Sequence, residues 1–368
     1  MAMTPGLARA ISDPLVARSI EVLKAGQAPS GALVASPDFR VYRYAWLRDG
    51  AFCAHALDLV GESERARGWH RWVCRSVEAH RPLIENAIAR VRRADVPPPE
   101  QMPPARYTLD GALERGSGDL EPWPNFQIDG YGMWLWSLAG HLEGKAPSDD
   151  LASTAELVAS YLSSCGLVPC WNCWEEFDGG EHASTIASVA AGLRAAASLL
   201  RDDRWDDAAA RFCGELDERY TVDGRFRRGA HDDRVDGSLL WLSTPFEISD
   251  SDARVATTVE AVRNELVGPG GGVYRFRGDS YYGGGQWLLL TSWLAWHDAR
   301  TGDTEAARAG QAWVRAQSLA NGDLPEQVAA NAQEPTMVGP WADRWGAVAT
   351  PLLWSHAMYL ITESALPV

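Results

Sequence analysis

The chain has 368 residues, of which 46% are hydrophobic and 23% charged, and its formal net charge at pH 7 is −15. This composition is typical of a globular protein with a large core and excludes extensive disorder. The acidic balance argues against nucleic acid or an anionic membrane as a partner, since both bind through clustered Lys and Arg. No 18-residue apolar run or signal-peptide pattern is found. We therefore expect a cytoplasmic protein with a neutral ligand.

Apolar residues recur at helical spacing along most of the chain, while strand-like alternation is nearly absent. Short polar turns alternate with long loops rich in Gly, Pro and aromatic residues. Repeated helical hairpins without an identical repeat motif favour a closed all-α toroid of six hairpins over an open solenoid. The predicted helices are 7–25, 50–60, 63–78, 130–141, 149–165, 182–200, 205–219, 252–266, 284–301, 305–319 and 350–363.

Residues 96–106 are the best linker candidate, because five prolines in the first nine residues favour an extended conformation. This run lies too near the middle of the hairpin series to divide two independent cores. We therefore expect a single catalytic domain over residues 1–368, with 96–106 as a rigid loop excursion within it.

The six cysteines are too few for a disulfide framework in so long a chain, so we expect reduced thiols. Cys170 and Cys173 have the spacing of zinc ligands or of a redox pair. No second cysteine pair and no histidine pair completes a tetrahedral set. The sequence therefore predicts neither a metal site nor a cofactor.

Aromatic loops ahead of two helices are typical of sugar binding, since sugar rings stack on flat side chains while hydroxyls bind charged groups. The chain has 17 tryptophans, several of them in such loops. In the first loop, Arg48 and Asp49 follow Tyr42 and Trp46, and Asp49 could alternatively be only a helix N-cap. In the second, Asp129 is predicted to be a structural N-cap, and the nearby Trp123 is the better candidate for a substrate contact.

Two acidic segments far apart in the chain lie among aromatic residues and glycines rather than on charged helix faces. Glu175 and Glu176 follow Trp174, and Glu326 lies in the segment 322–327. Neighbouring glutamates point in different directions, which predicts different roles for Glu175 and Glu176. Hydrolysis of a glycosidic bond needs one protonated and one ionised carboxyl group. The two segments are therefore candidates for one catalytic site.

Several collinear motifs resemble glycoside hydrolase family 15, the glucoamylase family. They run from 46–49 through 123–130, 174–176, 279–287 and 325–327 to Trp354-Ser355, and so cover most of the chain. The resemblance implies an (α/α)6 barrel, in agreement with the helix pattern. It is closest in organisation to small single-domain bacterial members of the family.

The resemblance also implies roles for individual residues. Glu175 matches the general acid, Glu326 the general base, and Glu176 a substrate-binding neighbour. The other substrate-binding positions implied by the family are Tyr42, Trp46, Arg48, Asp49, Trp123, Arg275 and Trp287.

These roles predict an inverting, exo-acting α-glucoside hydrolase that releases β-glucose from short α-glucosides, with its two carboxyl groups about 6.5 to 9.5 Å apart. Isomaltose and other α-1,6-linked substrates are favoured, with α-1,4-acting glucoamylase or trehalase activity as alternatives. The loops around Arg43, Arg277 and Gln286 are expected to decide the linkage. Remote alternatives are a non-catalytic sugar-binding protein and an α/α-barrel sugar epimerase. An epimerase would use histidines, of which only His231 lies near a candidate pocket loop.

Overall fold

The computed structural model describes residues 12–114, 126–176, 180–248 and 253–367. Helices dominate these residues, and the strands are only two residues long. The helices are α1 Pro14–Ala25, α2 Leu47–Leu59, α3 Ser63–Ala79, α4 Arg81–Val91, α5 Asp129–Leu142, α6 Asp149–Cys165, α7 Ala183–Leu200, α8 Arg204–Arg219, α9 Ala253–Leu266, α10 Leu288–Thr301, α11 Thr304–Ala316, α12 Val338–Trp345 and α13 Leu353–Ala365. The strands are β1 Ala45–Trp46, β2 Arg106–Tyr107, β3 Thr221–Val222, β4 Arg225–Phe226, β5 Gln286–Trp287 and β6 Gln327–Val328.

The long helices fall into two classes by burial. Helix α10 is buried on every side from Leu288 to Trp296, as expected for a helix in the middle of a fold. Helix α11, which packs against it, buries only Ala307, Gln311 and Val314. Its remaining residues lie at least partly in solvent, so the α10–α11 hairpin has one inner and one outer member.

The inner elements close into a ring. In order around the ring they are α2, α5, α7, the 3-10 helix Gly237–Leu242, α10 and α13, and α13 packs back against α2. Outer helices cover this ring, with α1 against α13, α3 against α2 and α8 against α7. The predicted (α/α)6 barrel is therefore confirmed.

Several predicted helix boundaries and three segments without a predicted helix need correction. Helices α2 and α10 begin at Leu47 and Leu288 rather than at residues 50 and 284. Helices α4 and α12 were not among the predicted helices. The segment 224–247, in which no helix was predicted, contains the 3-10 helix Gly237–Leu242, whose residues are all buried. This short element occupies the inner position that a full α-helix fills elsewhere in the ring.

Short strands bring the long loops together at one end of the ring. Strand β1 pairs with β2 immediately before α2, and β5 pairs with β6 immediately before α10. The second pairing places Trp287 opposite Gln327, next to Glu326. The N-terminal ends of α2 and α10 and the segment containing Glu326 therefore meet on one face of the barrel.

Among the described helices, α7 is long and apolar enough to span a bilayer by length and composition, and 78% of it is buried within the fold. The core helix of a soluble protein passes the same test, so this is weak evidence for a membrane span.

Candidate functional site

A cavity of about 340 Å³ opens at the face where the inner helices begin. Its size lies at the lower end of the range for small-molecule sites. Buried side chains, including Arg48 and Asp49, line one end, while the partly exposed residues of α12 line the other. The cavity is therefore a pocket with a buried end and a rim.

The pocket brings together nine of the ten residues that the sequence predicted for the site. They are Tyr42, Trp46, Arg48, Asp49, Glu175, Glu176, Arg275, Trp287 and Glu326. The tenth, Trp123, lies outside the described residues.

Glu175 is held by a tight loop and two hydrogen-bond donors. Its backbone has a φ of 64°, in the left-handed region that non-glycine residues rarely adopt. Trp46 Nε1 donates to Glu175 Oε1 at 2.6 Å, and Gln127 Nε2 donates to the same oxygen at 3.0 Å. Strained backbone of this kind is common at functional sites, where surrounding contacts hold it in place.

Glu326 lies deeper in the pocket and is 3% exposed. The Tyr42 hydroxyl donates to Glu326 Oε1 at 3.0 Å, whereas Oε2 is buried and has no hydrogen-bond partner among the described residues. Burial raises the pKa of Glu326 to about 8, although Arg275 and the Tyr42 hydroxyl act in the opposite direction. The negative charges of Asp49 and Glu175 raise this pKa further. Glu326 therefore has one oxygen fixed and one free for a further partner.

The two aromatic side chains that donate hydrogen bonds to the two glutamates are neighbours in the pocket. Tyr42, which holds Glu326, meets Trp46, which holds Glu175, edge to face with ring centroids 5.6 Å apart. The Tyr281 hydroxyl lies 2.9 Å from that of Tyr42. Because Tyr42 gives its proton to Glu326, Tyr281 is the donor in this second bond.

The buried end of the pocket is organised by the Arg48 guanidinium, which is 4% exposed. Its Nη1 atom donates to Gln127 at 2.6 Å and to Asp129 at 2.9 Å. Asp49 lies 3.7 Å from Arg48 Nε, and burial raises the pKa of Asp49 to about 7 even though Arg48 opposes this. Neither aspartate is the predicted N-cap, since Trp46 and Ile128 occupy those positions. Asp129 instead orients Arg48.

Glu176 points away from Glu175 and pairs with Arg275. The Arg275 guanidinium donates to Asp279 at 2.8 and 2.6 Å and to Glu176 at 2.5 Å. It also lies 5.0 Å from the centroid of the Trp287 ring. A buried cation between two carboxylates and an aromatic ring fixes this wall of the pocket.

The rim residues on α12 were not among the predicted site residues. Trp341, Arg344 and Trp345 line the pocket, and the two indole rings meet edge to face at 5.4 Å. Their spacing of three and four residues places them on one face of a helix. That spacing was available in the sequence, but no helix was predicted in this segment.

The loops expected to decide the linkage contribute Tyr42, Arg275 and Trp287 to the pocket, whereas the residues Arg43, Arg277 and Gln286 themselves lie outside it. Arg43 donates to the backbone oxygen of Pro37 on the surface. Gln286 is buried and donates to the backbone oxygens of Pro269 and Gly272. Neither these two residues nor Arg277 lines the pocket.

The chain is similar to known proteins over nearly its full length. A profile of glycosyl hydrolases family 15 matches residues 10–330. The isomaltose glucohydrolase of Kribbella flavida is 38% identical over 360 residues, covering 96% of this chain and 92% of that protein. The chain belongs to glycosyl hydrolase family 15.

Other similar proteins agree with this assignment. An uncharacterized glycosyl hydrolase of Methanocaldococcus jannaschii is 26% identical over 362 residues, which cover 90% of this chain and 52% of that protein. A glycosidase variant solved in complex with glucose superposes with a TM-score of 0.88 at 38% identity, covering 96% of this chain and 97% of the other. A bacterial glucoamylase complexed with acarbose shares the fold, with a TM-score of 0.74 at 19% identity over 97% of this chain and 56% of that one. The enzyme is therefore a glycoside hydrolase, and the family predicted from the motifs is confirmed.

Proposed function

We propose that this enzyme cleaves the terminal glucose from short α-glucosides with inversion of configuration. Glu175 protonates the glycosidic oxygen, and Glu326 takes a proton from the water that attacks the opposite face of the anomeric carbon. The observation that carries this proposal is the free Oε2 of Glu326, a buried acceptor without a described partner in the pocket. The nucleophilic water is assigned to this oxygen.

The two glutamates are held by different side chains, Glu175 by Trp46 and Glu326 by Tyr42. An inverting enzyme needs room for water between sugar and base, and a retaining enzyme brings its carboxyl groups to about 5 Å. Measurement of the released anomer by NMR during the first turnovers tests this point. Initial release of α-glucose would overturn the inverting mechanism.

The protonation state of Glu326 in the free enzyme adds a requirement to the mechanism. Because burial raises the pKa of Glu326 to about 8, this residue holds a proton at neutral pH before substrate binds. A base must be ionised, so Glu326 has to lose that proton before water is activated. The opposite assignment, with Glu326 as acid and Glu175 as base, is the competing mechanism.

A substrate that needs no acid separates the two assignments. In α-glucosyl fluoride the leaving group departs without protonation, so loss of the acid costs little while loss of the base remains costly. We expect Glu175→Gln to keep most of its activity on the fluoride and to lose at least about 100-fold on isomaltose. Glu326→Gln loses activity on both substrates. The reverse pattern would exchange the two roles.

We propose isomaltose and short α-1,6-linked oligosaccharides as the favoured substrates. The support is the 38% identity to a protein named isomaltose glucohydrolase over 96% of the chain. The pocket has one buried end, which suits removal of a single terminal sugar. Initial rates on isomaltose, maltose and trehalose test the linkage preference. Equal or faster hydrolysis of maltose would replace the α-1,6 assignment by an α-1,4-acting glucoamylase, and of trehalose by a trehalase.

Two further proposals concern the whole chain. Residues 1–368 form one catalytic domain, since the ring closes through α2 and α13 from opposite ends of the chain. Limited proteolysis that released a stable fragment would contradict this.

The enzyme acts in the cytoplasm, in keeping with its six free cysteines. Activity in an extracellular fraction of the native host would contradict that location.

A further inference from the structure

Three titratable side chains meet at the opposite ends of the helices that begin at the pocket. Asp58 lies in the last turn of α2, His141 in the last turn of α5, and His70 on α3. One potential ligand atom from each lies within 4.8 Å of the other two. Asp58 and His70 are buried, at 2% and 1% exposure. We call these three residues the His-Asp triad.

His70 is the unexplained member of the triad. Neither of its ring nitrogens has a hydrogen-bond partner among the described residues, although both are buried. A buried polar group without a partner costs about 1–3 kcal/mol. Its ring lies 4.9 Å from that of His141 and 5.0 Å from that of Trp69, so packing fixes its position. The structure thus contains an imidazole that lacks a partner and faces two potential ligands.

We propose that the His-Asp triad binds one divalent transition-metal ion, for which Zn²⁺ is the probe. Two imidazoles and one carboxylate are ligands that suit zinc and its neighbours in the first transition row. His141 Nδ1 lies 2.9 and 3.0 Å from the two oxygens of Asp58. Adjacent ligands of an ion with 2.0–2.1 Å bonds are separated by about 3.0 to 3.4 Å, so Asp58 and His141 already lie close to ligand spacing and only His70 must approach.

The backbone around the triad favours positive charge. Asp58 and His141 both lie next to the last residue of their helices, where the helix dipole presents its negative end. Protons compete with a metal ion for imidazole and carboxylate ligands, so affinity for the ion falls at low pH. The ion connects α2, α3 and α5 and is structural, because Asp58 lies on α2 about 14 Å along the helix axis from Asp49 in the pocket.

The test uses the untagged full-length enzyme, which is stripped of metals with EDTA and then incubated with Zn²⁺. We expect wild type to retain about one Zn²⁺ per chain after desalting, and Co²⁺ at the same site to give visible ligand-field absorption. Bound Zn²⁺ raises Tm by about 3 °C or more and leaves the isomaltose rate unchanged. Wild type that retains no Zn²⁺ after desalting would overturn the proposal.

Two variants test whether the Zn²⁺ binds at the His-Asp triad. His70→Phe keeps an aromatic ring against Trp69 but has no ligand nitrogen, so it should lose the Zn²⁺ and the Tm rise while its metal-free Tm is unchanged or higher. His231→Gln removes a loop histidine outside the triad and should bind as wild type does. If His70→Phe retains as much Zn²⁺ as wild type, or His231→Gln loses it, the triad is not the site.

Discussion

Replacement of Glu326 by Gln separates the contribution of this residue to catalysis from its cost to stability. Gln has nearly the same shape and no charge, so the substitution removes the base. Loss of a general base reduces the rate by about 10²- to 10⁴-fold. The same change removes a buried carboxyl group whose pKa is raised to about 8, and this predicts a second effect that depends on pH.

The direction of the stability effect follows from proton binding. Between the ordinary pKa of 4.5 and about 8 the folded protein keeps a proton on Glu326 that the unfolded chain has lost. The stabilising contribution of this proton is fully present below pH 4.5 and is lost as the pH rises through 8. Each pKa unit corresponds to about 1.4 kcal/mol, so the ionised carboxylate costs on the order of 5 kcal/mol above pH 8.

Thermal unfolding monitored by circular dichroism between pH 5 and pH 9 measures this effect. The average unfolding entropy for a chain of this length corresponds to about 0.8 kcal/mol per degree, so Glu326→Gln should exceed wild type in Tm by about 6 °C at pH 9 and by almost nothing at pH 5. Glu265→Gln, a change at an exposed helix position, should follow wild type throughout. Parallel curves for wild type and Glu326→Gln would refute the argument that burial raises this pKa.

Four other substitutions test single positions. Tyr42→Phe removes the hydroxyl that lowers the pKa of Glu326, so the acidic limb of kcat/KM should move to higher pH, and a limb that stays in place would count against Glu326 as the base. Trp345→Ala opens the rim and should raise KM for isomaltose about tenfold, while α-glucosyl fluoride, which has no leaving-group sugar, should be hydrolysed as by wild type. Gly132→Ala places a Cβ 2.1 Å from the backbone oxygen of Ser188 and should destabilise the fold by about 3 kcal/mol in urea unfolding. Gly214→Ala meets nothing within 4 Å and should instead stabilise its helix by about 0.5–1 kcal/mol.

The fold was predictable where helices carry a clear burial pattern. Helix α11 buries one narrow stripe and α10 is buried on all sides along most of its length, and both were found from the spacing of apolar residues. The 3-10 helix Gly237–Leu242 was not, because its six residues fall below the length at which periodicity can be recognised. Its first turn is fixed by Asp236, whose carboxylate accepts from the Ser238 amide and from the indole of Trp174. The second of these contacts depends on tertiary structure.

The residues of the site were predictable where a short stretch of sequence forms a recognisable motif. Aromatic loops identified Trp46 and Glu175 separately, but only the folded chain shows that the Trp46 indole donates to the Glu175 carboxylate. The His-Asp triad is the opposite case. Its members lie far apart in the sequence on three amphipathic or buried helices, where a histidine has no local signature that separates a ligand from a core residue.

Helix polarity connects the two ends of the barrel. Helices α2 and α5 carry Asp49 and Asp129 in their first turns and Asp58 and His141 in their last. The N-terminal ends of these helices favour negative charge, which offsets part of the cost of gathering carboxylates in the pocket, and the C-terminal ends favour a cation. An ion that ties α2 to α5 at the far end would hold the two helices in register without adding positive charge near Glu326. Metal removal should therefore lower Tm and leave the pH profile of kcat/KM unchanged, whereas Tyr42→Phe should move that profile.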